Sequence, residues 1–462
     1  MKRALDRFAR VALMRLRDWR HNGGGVAMLT AILIVPLTFA LGMAYDYTMA
    51  SNRKDQIDGM ADAAALGAVT PAMMAQSSTV AQTRAKTLFT DQAATVSGAT
   101  VLPGDVNVTV VDTPLGATIT RNVSLTYKAT SPNVFAGILG LPAFQIGGSS
   151  AATSGGAPNI DFYLLLDDSP SMEIGATQAD INTMVSHTSQ QSGCAFACHE
   201  TNPTAADVKG NPGGEDNYTL ARNLGVTLRI DLVNTATQNL MSTAQSTEAQ
   251  NHAAYRAAIY TMDYNFTNLQ ALTSDLTTAQ KSAANIASPT VYSNSFLTKT
   301  NNNNDEDSAL DTGLQKSNTA MPDPGGGTNN AGDTPQEVLF IVSDGVVDEN
   351  VASGGSCGSS TRACAPINSL VDWCTKIKNR GIRIAFLYTT YYPLPTNAFY
   401  NSNIAKYQTV DSHGNITTDQ MAINAQNCAS QGLFFQVDTG GNISDALQTL
   451  FLRAVSTARL TQ

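Results

Sequence analysis

The chain has 462 residues, a formal net charge of −9, 43% hydrophobic residues and only 14% charged ones. One hydrophobic core rarely serves a chain this long, so more than one folding unit is expected, and low charge amid abundant Ser, Thr, Asn, Ala and Gly is common in secreted bacterial surface proteins. Lys2, Arg3, Arg7, Arg10, Arg15, Arg17 and Arg20 oppose Asp6 and Asp18 in the first twenty residues, a balance of +5 that leaves −14 for the remainder; a basic nucleic-acid-binding face is excluded there.

Residues 1–21 read as a basic cytoplasmic tail, and residues 22–45 form an uncharged run, GGGVAMLTAILIVPLTFALGMAY in its body. A helix of that length crosses roughly 30 Å of hydrocarbon. Basic residues crowd its N-terminal flank and Asp46 opens the other, so the positive-inside rule predicts a single-pass inner-membrane anchor with everything after Asp46 exported to the periplasm or cell envelope. The run exceeds the roughly 7–15 residues of a signal-peptide apolar region, and no A-x-A site stands directly behind it. Pro36 is tolerable in a membrane helix where neighbours or water satisfy the released carbonyl.

From Asp46 the helical spacing of Ala61, Ala64, Ala65 and Ala68 predicts a continuing helix. Alternation at 106–111, 117–129 and 144–153 predicts strands, so residues 46–153 outline a long helix with a small antiparallel sheet, a pilin-like α+β module. Residues 154–158, SGGAP, read as a linker. Beyond it, near-continuous apolar runs at 160–166, 338–342, 382–388 and 433–437 predict parallel strands buried on both faces. Residues 254–265 supply another strand, and helices are expected over Thr219–Thr243, Ser308–Ala320, Asn368–Arg380, Met421–Gln431 and Ser444–Leu460. Residues 159–462 are thus expected to form a doubly wound α/β domain whose ligand site lies beyond the carboxyl ends of its strands.

At the end of the first of those strands stands Asp167-Asp168-Ser169-Pro170-Ser171-Met172. A carboxylate and two hydroxyls at i, i+2 and i+4 on one tight loop can face a single hard cation, and oxygen ligands favour Mg²⁺, Mn²⁺ or Ca²⁺. The pattern D-x-S-x-S resembles the metal-ion-dependent adhesion site of von Willebrand factor A-type (vWA) and integrin I-type domains. VLFIVSDG at 338–345 resembles the strand that carries that family's second metal-site aspartate, here Asp344. The resemblance implies that Ser169 and Ser171 touch the cation, that Asp167 and Asp344 act largely through hydrogen bonds and water, and that an open position captures a partner's acidic side chain.

The family's third ligand is a threonine ahead of a helix containing Ala-Leu. Taking that pair as Ala309-Leu310 puts the preceding loop at Asn301–Asp307, where Asn304, Asp305 or Asp307 would have to substitute, and Asp305 is carried as the candidate. Thr328 ends a family-like GGGT but is rejected, because only eight residues separate it from Glu337 and the next strand, leaving no room for a helix.

The basic head, the apolar run, ADAAALGA at 61–68, FAGILGLPAFQIGGSSAAT at 135–153 and the terminal vWA-like region together resemble the TadG-like proteins of the TadE/TadG-like family, which serve the tight-adherence (Flp) pilus. This implies other pilus components as partners. Prepilin-type cleavage is not expected, since Thr30 stands five residues after Gly25 where processed pseudopilins carry glutamate. Assembly or adhesion in such a pilus is the expected function; a vWA surface receptor unrelated to pili and a metal-dependent hydrolase are the alternatives. No G-x-S-x-G, H-E-x-x-H or phosphate-cradling loop supports an enzyme.

All six cysteines follow the run, consistent with an oxidising compartment. Local bridges Cys194–Cys198 and Cys357–Cys364 are expected, leaving Cys374 and Cys428 for each other or as thiols. Residues 194–199 are one residue longer than a c-type haem site and lack a fourth zinc ligand, so a disulfide-stapled insertion roofing the metal face is expected instead.

Overall fold

The structure is a computed structural model that describes residues 2–115, 118–200, 202, 214–287, 289–292, 308–352, 355, 357, 361–395, 397–438 and 441–455, with side chains from Val26 onward except at Leu115. The chain divides into two compact units, Met1–Val111 with Arg121–Ser154, and Asp112–Thr120 with Gly155–Gln462.

The first unit is organised by α1, one helix from Lys2 to Gly67 that contains Pro36. Its stretch from Val26 is long and apolar enough to cross a membrane, with a mean hydropathy of 2.3 in its most apolar window. Val26, Met28, Leu29, Ile32, Leu33, Val35, Leu37 and Leu41 are all exposed. Further along, Ile57, Ala61, Ala64, Ala65 and Ala68 turn inward, because small residues at helical spacing allow close packing. They meet α3 (Ser78–Ala93), which follows the single turn α2 (Pro71–Met74), and the sheet β1 (Val106–Leu115), β2 (Thr118–Pro132), β3 (Ala143–Gly156), with β2 central. Strict alternation on β2 sends Val123, Leu125, Tyr127 and Ala129 into this core. The short helix α4 (Phe135–Ile138) joins β2 to β3. Strand β3 runs through Ser154–Gly156, so the first three residues of the expected linker are paired strand.

The second unit is built on a six-stranded sheet. It comprises β4 (Ile160–Asp167), then α5 (Gln178–His187), α6 (Asn217–Asn223), α7 (Arg229–Asn251), β5 (Tyr255–Met262), β6 (Phe266–Thr273), α8 (Leu276–Ala283), α9 (Leu310–Ala320), β7 (Gln336–Ser343), β8 (Val346–Asn350), β9 (Arg362–Pro366), α10 (Trp373–Asn379), β10 (Arg383–Thr389), β11 (Gln408–Val410), β12 (Ile416–Asp419), α11 (Gln420–Cys428), β13 (Phe434–Val437) and α12 (Ile443–Val455). The sheet order is β13-β10-β7-β4-β5-β6. Five strands are parallel, and β6 is antiparallel to β5 at one edge. Every residue of β4 is buried because helices cover both faces. Phe162, Leu164 and Leu166 pack with α7, α8 and α12, while Tyr163 and Leu165 pack with α5, α9, α10 and α11.

Three expectations are corrected. The helix expected over Thr219–Thr243 is two helices, α6 and α7, because Gly225 takes a left-handed φ of +69° and redirects the chain. The strand expected over 254–265 is the hairpin arm β5, which turns back at Asp263–Asn265 into β6; this edge strand is polar because one side faces solvent. The disulfides are Cys357–Cys364 and Cys374–Cys428, whereas Cys194 and Cys198 remain thiols.

The two disulfides close loops of unequal length, with sequence separations of 7 and 54. Loop-closure entropy makes the longer one worth about 4 kcal/mol and the shorter about 2.5 kcal/mol. Chemical denaturation of the two double-serine variants is expected to rank them in that order. At the amino edge of the sheet, Asp161 pairs with Arg256, and burial together with the Asp161 charge lifts the Glu337 carboxyl to about 8. Unfolding frees Glu337 to ionise near its ordinary value, so its contribution to stability falls as pH rises from about 4.5 to about 8. Glu337→Gln is expected to gain about 2 kcal/mol over the wild type at pH 8.5 and almost nothing at pH 5 in thermal unfolding.

Candidate metal centre

Strand β4 ends in Asp167, and the amide of Asp168 donates to the Met262 carbonyl at 3.1 Å, so the turn begins level with the end of β5. Asp167 organises that turn. Its Oδ1 accepts the Ser169 amide at 3.0 Å, an Asx-type turn, and its Oδ2 accepts the Ser343 hydroxyl at 2.7 Å. Ser169 then starts a single 3₁₀ turn, Pro170–Glu173, with the Met172 amide donating to its carbonyl at 2.9 Å. That turn brings the Ser169 and Ser171 hydroxyl oxygens to 2.9 Å of each other.

Neighbouring β7 delivers the other half. Ser343 is its last residue and Asp344 follows directly, with the Val346 amide donating to Asp344 Oδ1 at 3.2 Å. Gly345, at a φ of +74°, swings the chain away into β8, a conformation that a side chain would strain. Asp344 Oδ2 is buried and has no hydrogen-bond partner among the described residues. Asp167, Ser169 and Asp344 are fully buried, while Ser171 is partly exposed, so solvent reaches the cluster from the Ser171 side. Asp167 is thus not a surface loop residue but the terminal residue of a central strand, enclosed by its neighbours.

Two carboxylates at adjacent strand ends, removed from water, resist ionisation. Burial and the Asp344 charge push Asp167 up to about 7, against the bonds from Ser169 and Ser343. Burial also raises Asp344, opposed by the Ser171 hydroxyl and by the charge of Arg229. Such a pair beside two hydroxyls and an unpartnered oxygen fits a hard divalent cation, whose charge would take the place of the protons.

Asp305 lies outside the described residues, as do Asn304 and Asp307. Thr328 sits at the opposite edge: Gly327 pairs with Asn159 ahead of β4, and the Thr328 hydroxyl donates to Asp333 at 2.5 Å. The hydroxyl immediately ahead of α9 is Ser308. Its backbone pairs with Asp348 of β8, and the next amide, of Ala309, donates to the Asp263 carbonyl at 2.7 Å, which sets Ser308 on the carboxyl edge. Its Oγ is buried without a hydrogen-bond partner among the described residues. Reading Ala309-Leu310 as the helix's Ala-Leu pair did not single out Ser308 in the sequence. Gly313 and Leu314, one turn inside α9, pack near Leu165 of β4 and hold the start of that helix against the central strand.

Two further residues had no legible signal. Arg229, the first residue of α7, is buried and donates from Nη2 to the Thr390 carbonyl at 2.7 Å, its positive charge acting on Asp344. Asp168 continues the Asp167–Met262 register and so stands beside Asp263, and burial together with the Asp263 charge raises its carboxyl well above the ordinary value.

The strand order, the antiparallel edge strand and the D-x-S-x-S turn at the end of the central strand give the second unit the doubly wound α/β architecture that its sequence resemblance to vWA-type domains implies. Residues 24–76 match the family model described as putative Flp pilus-assembly TadE/G-like. The fold is similar to the vWF domain of the type V pili tip protein Mfa5 from Porphyromonas gingivalis, at 10% identity, 66% of this chain, 98% of that one and a TM-score of 0.35. It is also similar to the conserved hypothetical protein BatB from Bacteroides thetaiotaomicron, at 11% identity, 64% and 98% coverage and a TM-score of 0.33. No curated protein matches the chain.

Arg229 is the buried positive charge closest in effect to Asp344, and truncating it leaves both that carboxylate and the Thr390 carbonyl uncompensated. Arg229→Met is therefore expected to destabilise chelator-treated protein by about 2–3 kcal/mol in chemical denaturation.

Proposed function

We propose that this chain is a membrane-anchored, exported component of a Tad/Flp-type pilus system, acting in assembly or adhesion by binding an acidic side chain of a protein partner through a divalent cation, Mg²⁺, Mn²⁺ or Ca²⁺. The observation that carries the reading is the buried convergence of Asp167, Ser169, Ser171 and Asp344 around an unpartnered carboxylate oxygen. The TadE/G-like match of residues 24–76 and the apolar helix support the pilus setting and the anchor.

Each residue has a task in this reading. Ser169 and Ser171 offer neutral oxygens to the cation, and Asp167 and Asp344 supply the negative charge that holds it, mainly through hydrogen bonds and water. Ser308 is preferred to Asp305 as the third protein ligand, because its buried oxygen is unpartnered and a neutral ligand leaves more positive charge for the partner's carboxylate. The bound cation would supply an electrophilic coordination position for that carboxylate. Arg229 offsets part of the negative charge and favours the ionised form of Asp344, against the effect of burial. The partly exposed Ser171 side is where the partner enters. Binding rather than turnover is proposed, since every polar group named here is used in holding the cation.

Calorimetry with Mn²⁺ on the detergent-solubilised chain tests the site. Asp167→Asn combined with Asp344→Asn is expected to abolish binding, Asn being chosen because both positions are buried. Ser308→Ala should weaken binding about tenfold, roughly the loss of one ligand at 1.4 kcal/mol, while Asp305→Ala and Thr328→Ala leave it unchanged. Crosslinked pull-down of pilus components should be lost in chelator and in the double variant. Unchanged Mn²⁺ binding by a folded double variant would remove the assignment.

A further inference from the structure

The loop between β2 and β3 carries Val134, Ile138, Leu139 and Leu141, each between 53% and 71% exposed, and Pro142 beside them is exposed as well. No charged residue occurs between Lys128 and Asp161. Large apolar side chains clustered on one uncharged loop mark an interaction surface, and the position of this loop on α1 indicates what covers it.

Asp46, the first charge after the apolar run, accepts hydrogen bonds from the amides of Val134, Phe135 and Ala136 at 3.0, 2.8 and 2.8 Å. One turn back toward the N-terminus, Gly42 lies so close to Phe135 that a β-carbon there would collide with its ring. The Phe135 ring also meets Tyr45 edge-on at 6.4 Å, and Tyr47 meets Phe144 at 6.4 Å. The loop is thus locked to the last turn of the apolar span, reaching back from Asp46 toward Gly42, and its large apolar side chains are exposed as are Val35, Leu37 and Leu41 on the span itself. The next charges on α1, Arg53 and Lys54, stand about 10 Å further along at 1.5 Å per residue. Three amide donors meanwhile satisfy the one carboxylate at the boundary, which lowers the cost of holding it beside lipid. Tyr45 and Tyr47 suit the same level, where aromatic side chains gather at membrane surfaces.

We propose that the segment Val134–Pro142 is a second membrane contact, seated in the lipid at the headgroup–acyl boundary of the leaflet from which α1 emerges. It would fix the first unit against the bilayer and restrain rotation and tilt about a single helix. This rests on the reading of α1 as a membrane anchor.

The test uses the full chain in phosphatidylethanolamine/phosphatidylglycerol vesicles, with Trp19 and Trp373 replaced by Phe and one Trp introduced at a time. Leu139→Trp probes the loop and Leu33→Trp the span. Val80→Trp, at the start of α3, probes the far end of the unit, since α3 begins just beyond Gly67, about 37 Å along α1 from Gly42. Acyl-chain-brominated lipid should quench the probes at 33 and 139 at least twofold and leave that at 80 unchanged, and emission at 139 should shift to the blue. Releasing the lock with Asp46→Ala should reduce lipid quenching at 139 and leave that at 33 intact. If 33 is quenched by lipid while 139 is reached by aqueous iodide as easily as 80, the loop contact is wrong and the anchor stands. Shielding of 139 from both quenchers would also overturn it, the occupant then being protein. A probe at 33 that lipid does not quench would remove the anchor reading itself.

Discussion

The second unit depends on one constraint: two carboxylates, Asp167 and Asp344, are buried at the ends of adjacent parallel strands. Neither is neutralised by a direct ion pair among the described residues, and the burial that raises their proton affinity follows from the sheet itself, since β4 and β7 lie at its centre with helices on both faces. Much of the surrounding architecture serves that placement. Ser343 and the Ser169 amide fix Asp167, Gly345 turns the chain before β8 can crowd Asp344, and Arg229 at the head of α7 supplies a partial counter-charge.

The same layout explains why the site gathers residues so distant in sequence. Parallel strands all end on one edge, so the turn after β4, the turn after β7 and the loop ahead of α9 meet there without any local sequence relation. The backbone around Ser308 is held at that edge by bonds to Asp348 and to the Asp263 carbonyl. The resulting cluster is enclosed on the strand side and reached by solvent from the Ser171 side.

In the first unit the organising interaction is again a carboxylate, but one satisfied by amides. Asp46 joins α1 to the loop before β3, and Gly42 permits the contact. One helix therefore carries both the apolar span and the inner wall of the small sheet domain, passing from an exposed surface of large apolar side chains to a buried stripe of alanines.

What the sequence determined by itself were the features written in local order: the apolar run, the alanine spacing after it, the continuous hydrophobic strands of a sheet covered on both faces, and the D-x-S-x-S and S-D-G turns at two strand ends. Each depends on neighbours a few residues apart, so pattern alone was enough. Strand β6 escaped because a solvated edge strand carries polar residues, and the α6–α7 break hung on one glycine's backbone angle. The placement of Arg229 and Ser343 beside the two carboxylates depended on contacts with residues far away in the chain. The pairing of Cys374 with Cys428, left open in sequence, and the unbridged Cys194 and Cys198 were likewise decided only when the chain's elements packed. Burial and charge at Asp167 and Asp344 are sums over those distant neighbours, and tertiary structure alone brings them together.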